Sequence, residues 1–224
     1  MSNSLIQAGT AQSANNGGFI TMNLPATLQE NDLVIVWGGH SNRAGSIPGP
    51  VTAGYTSIVT QTAASPFFNA SYKRMGTLAD TTVNCRSTGN TSDATAYGYF
   101  CLRGAIQTGS PLDVAAVTAG PTSSTNPDPG SIVTTTHGAW VLALASSAVN
   151  DAAITVISGY ENLVNASGND NGEDHSTAGC TLLKSTAGGE NPGAYTNWAS
   201  GAWYAVTIAI KPEPLKVLSA VGVG

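Results

Sequence analysis

The stretch NDLVIVWGG, residues 31–39, contains five consecutive apolar side chains and ends at two glycines. Valine, isoleucine and tryptophan favour β-strands, and the run has the length of a strand rather than of a helix. The preceding stretch GFITMNLP, residues 18–25, places Ile20, Met22 and Leu24 on one side of an extended segment. The sequence therefore predicts two successive strands, with a connection between them.

The remainder of the chain repeats this pattern, because short apolar runs rich in Val, Ile, Thr and aromatic residues alternate with clusters of Gly, Pro, Asn and Ser. Helical periodicity is nearly absent. The further predicted strands lie in YTSIVTQT, FFNASYKRMG, TTVNCRS, TAYGYFCLRG, GSIVTTTH, AWVLALASS, AITVISGYENLV, AGCTLLKS and GAWYAVTIAIKP. Such spacing is typical of sandwiches and barrels and predicts an all-β protein with antiparallel sheets.

Similar stretches occur twice in the same order. GYTSIV at 54–59 matches GYENLV at 159–164, 105 positions later, and LVIVW at 33–37 matches WVLAL at 140–144, 107 positions later. SYKRM matches CTLLK at an offset of 109, and YGYFCLR matches AVTIAIK at an offset of 108. An internal duplication explains the matches, and so does the regular recurrence of strands in any sandwich. In either case we expect a jelly-roll-like antiparallel β-sandwich with two similar four-stranded halves.

The domain boundaries follow from composition. Residues 1–17 are expected to form an N-terminal arm, and residues 18–212 a single β-sandwich domain, since two separate four-stranded sandwiches would have thin cores and exposed edges. Prolines and glycines in residues 108–131 predict a long loop near the midpoint, with room for one short strand.

Two prolines, Pro212 and Pro214, end the last predicted strand, so residues 213–224 are expected to form a C-terminal arm. This arm could fold back on its own chain or join the sheet edge of a neighbouring subunit. The candidate residues for such an inter-subunit contact are Leu215, Val217 and Leu218.

Charged residues make up only 9% of the chain, and the formal net charge is −5. Residues 104–210 contain one basic and eight acidic side chains. No cluster of Lys and Arg could neutralise phosphates, so nucleic acid is not an expected partner. No apolar stretch approaches the roughly 18 residues of a membrane span, and no signal peptide is recognisable. We expect a soluble protein that does not bind a membrane.

Three cysteines, Cys85, Cys101 and Cys180, occur without CxxC spacing. An odd number of widely separated cysteines predicts neither a disulfide framework nor a zinc site. Free cysteine prefers the protein interior, so we expect three buried thiols.

Few residues carry recognisable chemistry. His40 and His137 fall at or beside predicted strand ends, where a structural hydrogen bond is the usual role. Oxygen-rich side chains between Asn169 and Asp174 could bind Ca²⁺, but the order differs from that of a calcium loop and Asn, Asp and Gly also form turns. We therefore predict no catalytic residue, no metal and no cofactor.

One aromatic group is a candidate for binding sugar rings. The stretch TNWASGAWYAV brings together Trp198, Trp203 and Tyr204, and exposed aromatic rings can stack on sugars. The same residue types also fill cores and form cross-strand pairs, which is the stronger interpretation for a strand.

The stretches LPATLQENDLVIVWGG, GYTSIVTQTAASPFFNASYKRM and GAWYAVTIAIKP resemble those of phage and prophage virion-associated β-sandwich proteins. The resemblance covers about residues 20–212 and rests on the arrangement of strands and turns. Proteins of this kind decorate or cement capsids, or contact receptors from tails and fibres.

The resemblance implies a non-enzymatic structural protein that binds the major capsid protein on the outer surface of the head. It implies a homotrimer that is made in the host cytoplasm and becomes part of the virion. The alternative is a receptor-binding module on a tail or fibre that recognises host glycans. The chain lacks shaft repeats and coiled-coil heptads, which favours the capsid decoration protein.

Overall fold

A computed structural model describes residues 4–9, 12–14, 19–41, 46–86, 94–150, 153–170 and 173–214. Within these ranges the chain forms strands and no helix, which confirms the predicted all-β class. The strands are β1 (Ser4–Ala8), β2 (Gln12–Ala14), β3 (Ile20–Asn23), β4 (Leu33–His40), β5 (Thr56–Gln61), β6 (Phe67–Arg74), β7 (Thr82–Cys85), β8 (Thr95–Arg103), β9 (Val117–Ser124), β10 (Ile132–Thr134), β11 (Ala139–Ser147), β12 (Glu161–Asp170), β13 (Glu173–Lys184), β14 (Gly188–Glu190) and β15 (Gly201–Ile210).

The strands form two large antiparallel sheets and two small ones. Sheet I has the order β1-β8-β4-β6-β5, and β2 continues β1 along the same edge of β8. Sheet II has the order β12-β13-β11-β15-β9. The small sheets consist of β3 with β7 and of β10 with β14.

Sheets I and II pack face to face, and each small sheet helps to cover the outer face of one large sheet. The protein therefore has four layers, and the central strands are buried on both faces. This explains the uninterrupted apolar run of the opening stretch, since a strand covered on both sides needs no polar alternation. The layer between the large sheets, called the inner layer below, contains Leu33, Ile35, Trp37, Phe68, Phe100, Leu102, Trp140, Leu142, Leu144, Tyr204, Val206, Ile208 and Ile210.

The winding differs from the expected jelly roll. Sheet I consists of strands from residues 4–103 and sheet II of strands from residues 117–210, whereas a jelly roll interleaves both parts of the chain in both sheets. The expected N-terminal arm also differs, because β1 and β2 pair with β8. Pairing with β8 makes β1 an edge strand, and its short apolar run packs against the clusters on both faces of sheet I through Leu5, Ile6 and Ala8.

Each half of the chain has the same topology. Half 1, residues 4–103, contains the strand order β8-β4-β6-β5, and half 2, residues 105–214, contains the order β15-β11-β13-β12. The edge strand β1 precedes these strands in half 1 as β9 does in half 2, and the small sheets correspond likewise. The two similar halves predicted from the sequence are thus present as two similarly wound units, but each large sheet has an order of five strands and not the four that were predicted.

Strand registers repeat at the offsets found in the sequence. Leu33 lies opposite Leu102, and Trp140, 107 positions after Leu33, lies opposite Ile210, 108 positions after Leu102. Agreement at the level of single residue pairs is much stricter than similar strand spacing, and it favours a true internal duplication.

The outer hairpins repeat as well, including an irregularity. Thr56 opposes Tyr72 and Glu161 opposes Thr181, and in both hairpins the register then shifts by one residue. A β-bulge bends a strand and has a particular position in a fold. Its recurrence shows that the halves share local backbone geometry.

The turn before the central strand also recurs. Asn31 and Gly138 both have positive φ, 70° and 76°, and precede β4 and β11. The amide N–H of Asn31 donates to Met75 O at 2.8 Å, and that of Gly138 donates to Lys184 O at 2.9 Å. Gly and Asn are the residues that best tolerate this conformation.

Residues 108–131, predicted as a long loop with room for one short strand, contain β9, which forms an edge of sheet II and extends further towards the C-terminus than the short strand DVAAVTA at 113–119. The chain leaves β8 at Arg103, turns at Gly104, and Ala105 then bridges Pro212 beyond the end of β15. A single sharp turn therefore connects the two halves.

We predict that Gly179→Ala lowers the free energy of unfolding by about 1–3 kcal/mol, because overpacking strains a close-packed core. A Cβ at Gly179 would lie 2.4 Å from Cζ2 of Trp37, across the inner layer. Denaturant unfolding measures the change. Gly189→Ala, where a Cβ meets nothing within 4 Å, is the matched control. If Trp37→Leu does not offset the effect in a double-mutant cycle, the packing assignment is wrong.

Candidate functional site

Trp198, the first aromatic glycan candidate, is only 3% exposed. Its ring contacts Tyr195 edge to face, with centroids 5.5 Å apart, and its Nε1–H donates to Ser147 Oγ at 2.6 Å. The hydrogen bond to Ser147 at the end of β11 ties the segment that follows β14 to sheet II, and both rings belong to the cluster on the outer face of that sheet. The indole is a core side chain here.

Trp203 and Tyr204 are adjacent in β15 and therefore point to opposite faces of sheet II. Trp203 joins the outer cluster and donates to Ser124 Oγ at 2.9 Å, whereas Tyr204 lies in the inner layer, 5.5 Å from Phe68 between ring centroids. Both rings are buried. The two rings thus share no face of the sheet and are covered by protein, as the core interpretation of these residues expects, and they form no open platform for a sugar ring.

The oxygen-rich segment forms most of a hairpin instead of a loop. Asn169 pairs with Asp174 and Asp170 with Glu173 in the ladder of β12 and β13. Residues 171 and 172 lie outside the described residues. Across the described part of the chain, no three His, Cys, Asp or Glu side chains are grouped so that they could bind a metal ion. The C-terminal candidates Leu215, Val217 and Leu218 also lie outside the described residues.

The three cysteines are free and buried, as predicted. Burial raises the pKa of Cys101 to about 12 and that of Cys180 to about 11. Because the thiolate is the reactive form, these side chains act as small apolar core residues.

A polar cluster connects the two large sheets at one end of the inner layer. Ser41, directly after β4, donates from Oγ to the carbonyl oxygen of Asp174 on β13, and this Oγ lies 3.4 Å from Nδ1 of His175. Ser65 donates in turn to the carbonyl oxygen of Ser41. This group joins β13 of half 2 to the end of β4 in half 1.

His175 is fully buried in this cluster. Desolvation, followed by the nearby His40, lowers the pKa of His175 to about 3. Its Nε2 has no hydrogen-bond partner among the described residues. His40 is buried too and stacks on Phe67, with centroids 5.0 Å apart. The pattern of the sequence did not indicate this meeting, because His40 and His175 lie on different sheets.

Asp113 is the most heavily hydrogen-bonded carboxylate described. It accepts from the backbone N–H groups of Thr135 and Thr136 at 2.6 and 3.2 Å and from both threonine hydroxyls. Burial opposes ionisation, but these four donors outweigh it and lower the pKa of Asp113. The carboxylate therefore anchors the turn before β11 to the segment that precedes β9, where the N–H of Asp113 donates to the carbonyl oxygen of Ala209 in β15 at 2.8 Å.

A small cleft opens where the halves are connected. It has a volume of about 190 Å³, and its lining includes Glu30, Asp32, Arg103, Gln107 and Glu213. Arg103 forms a two-point ion pair with Asp32, at 2.9 and 2.7 Å. The cleft is smaller than the roughly 300 Å³ at which small-molecule sites begin, and its guanidinium is already neutralised. Its groups tie the end of β8 to the turn before β4.

No family model, no curated protein and no solved structure matches this chain. Among the described residues, no helix has the length and apolar character needed to cross a membrane.

We expect the stability of the protein to fall as pH decreases from about 6.5 towards 3, in part because of His175. Its folded-state pKa is below the unfolded value, so the unfolded state binds more protons in that window. The measurement is the difference in Tm between about pH 7 and about pH 4.5. His175→Asn should reduce this difference, and the exposed His137→Asn should retain it. An unchanged difference in His175→Asn contradicts the assignment.

Asp113→Asn should lower the free energy of unfolding by about 2 kcal/mol, because an amide can accept from only some of the four donors. The contribution of the carboxylate is present above its unfolded pKa of about 3.9 and is lost as pH falls further, since the folded pKa is lower. Chemical denaturation at neutral pH measures the loss. The exposed Asp128→Asn should change stability by less than about 0.5 kcal/mol, and equal effects would refute the anchor role.

Proposed function

We propose that this protein is a phage virion structural protein, specifically a capsid decoration protein that binds the outside of the head shell and stabilises it. Its partner is the major capsid protein, and it acts as a homotrimer on the capsid surface after synthesis in the host cytoplasm. The function is mechanical and involves no reaction. The likeness of the strand and turn pattern to virion-associated β-sandwich proteins supports this proposal.

The observation that carries the proposal is the four-layered architecture. The central strands of both large sheets are covered on both faces, and β4 and β11 are buried along their whole length. Such a stack resists deformation because a close-packed interior transmits strain instead of absorbing it. A protein that bridges neighbouring shell subunits needs this stiffness, and it must persist without chaperones outside the cell.

The polar groups described above support the same function. Ser41, Asp113 and the Arg103–Asp32 pair connect structural segments, and each is engaged within the chain. The burial of Trp198, Trp203 and Tyr204 removes the residues on which the glycan-binding alternative depended. The capsid decoration protein is therefore the better supported of the two candidates.

Exposed apolar side chains on the outer layers suggest where the shell could be contacted. Leu78, in the connection to β7 of half 1, is 91% exposed, and Val133, in β10 of half 2, is 65% exposed. Single exposed apolar residues are common. On a capsid, however, the same weak contact would recur in every subunit of the bound oligomer. Several subunits engaged together bind firmly even when each contact is weak.

The test uses heads that lack this protein. We expect such heads to assemble and to lose their DNA at a lower temperature than complete heads, and added purified protein should restore the higher temperature. DNA release on heating measures the effect, and immunolabelling in the electron microscope locates the protein. Label on tails only, or added protein that neither binds nor protects heads, would contradict the proposal.

Two substitutions serve as a matched pair in the add-back assay. Leu78→Ser alters the outer layer of half 1, and Val133→Ser alters that of half 2, in each case at an exposed position that the fold does not need. Reduced occupancy for one variant identifies the half that faces the shell. Full occupancy for both would show that the outer layers are not the contact surface.

A further inference from the structure

The inner faces of the two halves are equivalent surfaces. Leu33 and Ile35 of half 1 correspond to Trp140 and Leu142 of half 2 by strand register, and all four lie in the inner layer. An interface formed by equivalent patches on both partners is isologous, which is the arrangement of a two-fold symmetric dimer. The chain thus resembles a dimer whose two subunits are joined in one polypeptide.

The joint is short and localised. Gly104 follows Arg103 of sheet I and has a φ of 84°, a conformation that favours glycine. Two residues later, the N–H of Ile106 donates to Lys211 O at 2.9 Å on the sheet II side. The polypeptide therefore passes from one half to the other at Gly104.

We propose that the inner face of sheet I is a docking surface for sheet II of a second copy of this chain, so that two chains exchange halves about Gly104 and form an intertwined dimer. This inference does not depend on the proposed function, since it concerns the free protein, whereas the proposed homotrimer concerns the protein bound to the capsid.

An exchanged dimer retains every contact across the inner layer. Phe68 meets Tyr204 with ring centroids 5.5 Å apart, and Trp37 packs against Gly179, whichever chain supplies half 2. The two forms differ only near Gly104, where the chain turns in the closed form and extends in the exchanged form. Domain exchange is a low-cost route to dimers when the difference is confined to a hinge in this way.

The hinge leads to a matched pair of variants. Gly104→Val disfavours the positive φ of the turn and should favour the extended hinge, whereas Gly109→Val places the same strain at a φ of 70° in a loop outside the crossover. A Cβ at Gly109 meets nothing within 4 Å. Positive φ costs an L-residue about 1–2 kcal/mol, so Gly104→Val should raise the exchanged fraction about tenfold relative to Gly109→Val.

The experiment uses the full chain with a protease site inserted beside the exposed Thr108. Each variant and the parent protein are refolded at high concentration and separated by size. The exchanged dimer is larger than the closed single chain. After cleavage it should fall to the size of the closed chain, because each particle then consists of half 1 from one chain and half 2 from the other. A dimer formed through outer surfaces keeps its size after cleavage.

Larger species that revert on cleavage, enriched in Gly104→Val over Gly109→Val, are the expected result. The parent protein keeps the test decisive if Gly104→Val does not fold, since it should form a smaller amount of the same species. The proposal is overturned if no larger species reverts on cleavage, if cleaved halves separate from each other, or if the two variants show equal enrichment.

Discussion

The packing of Trp37 determines how the two large sheets meet. A Cβ would come within 2.7 Å of its indole at Gly98 on the neighbouring strand and within 2.4 Å at Gly179 on the facing sheet. The equivalent of the Trp37 and Gly98 pair in half 2 is Leu144 opposite Val206. At this position half 1 fills the space with the indole of Trp37 beside a glycine, whereas half 2 fills the equivalent space with the two medium-sized side chains of Leu144 and Val206. Because interiors are close-packed, this compensation allows both halves to keep one backbone geometry with different sequences.

The repeated backbone also shows where the halves are free to differ. His40 at the end of β4 corresponds to Ser147 at the end of β11, and the two carry different chemistry at one place in the fold. His40 stacks on Phe67, whereas Ser147 accepts the hydrogen bond of Trp198. The shared strand framework thus places the ends of β4 and β11 at equivalent points of the fold. The side chain at each point then determines which neighbouring segment packs against it. For a protein proposed to act mechanically, such variation adjusts stability and contact surfaces without altering the stack.

Much of the fold was predictable from the sequence, and the candidate site was not. Most of the long strands, their antiparallel class and the offset between the halves followed from apolar runs such as that at Leu33, because a strand covered on both faces must be apolar. The edge position of β1 could not be predicted, since edge strands depend on backbone hydrogen bonds that any sequence can make. Trp198 was a candidate for sugar binding because the sequence does not show whether an aromatic side chain is exposed or is buried under another segment of the chain.

The sequence by itself determined the β class and the order of most elements, and it suggested the offset between the halves, because these depend on local propensity and on the period of apolar residues. Only the tertiary structure decided that each half forms its own sheet, that the sheets stack by equivalent faces, and that Ser41 meets His175 across them. These features depend on which surfaces come together across long separations in the chain. Apolar runs show that a face is buried, but they do not show which partner covers it.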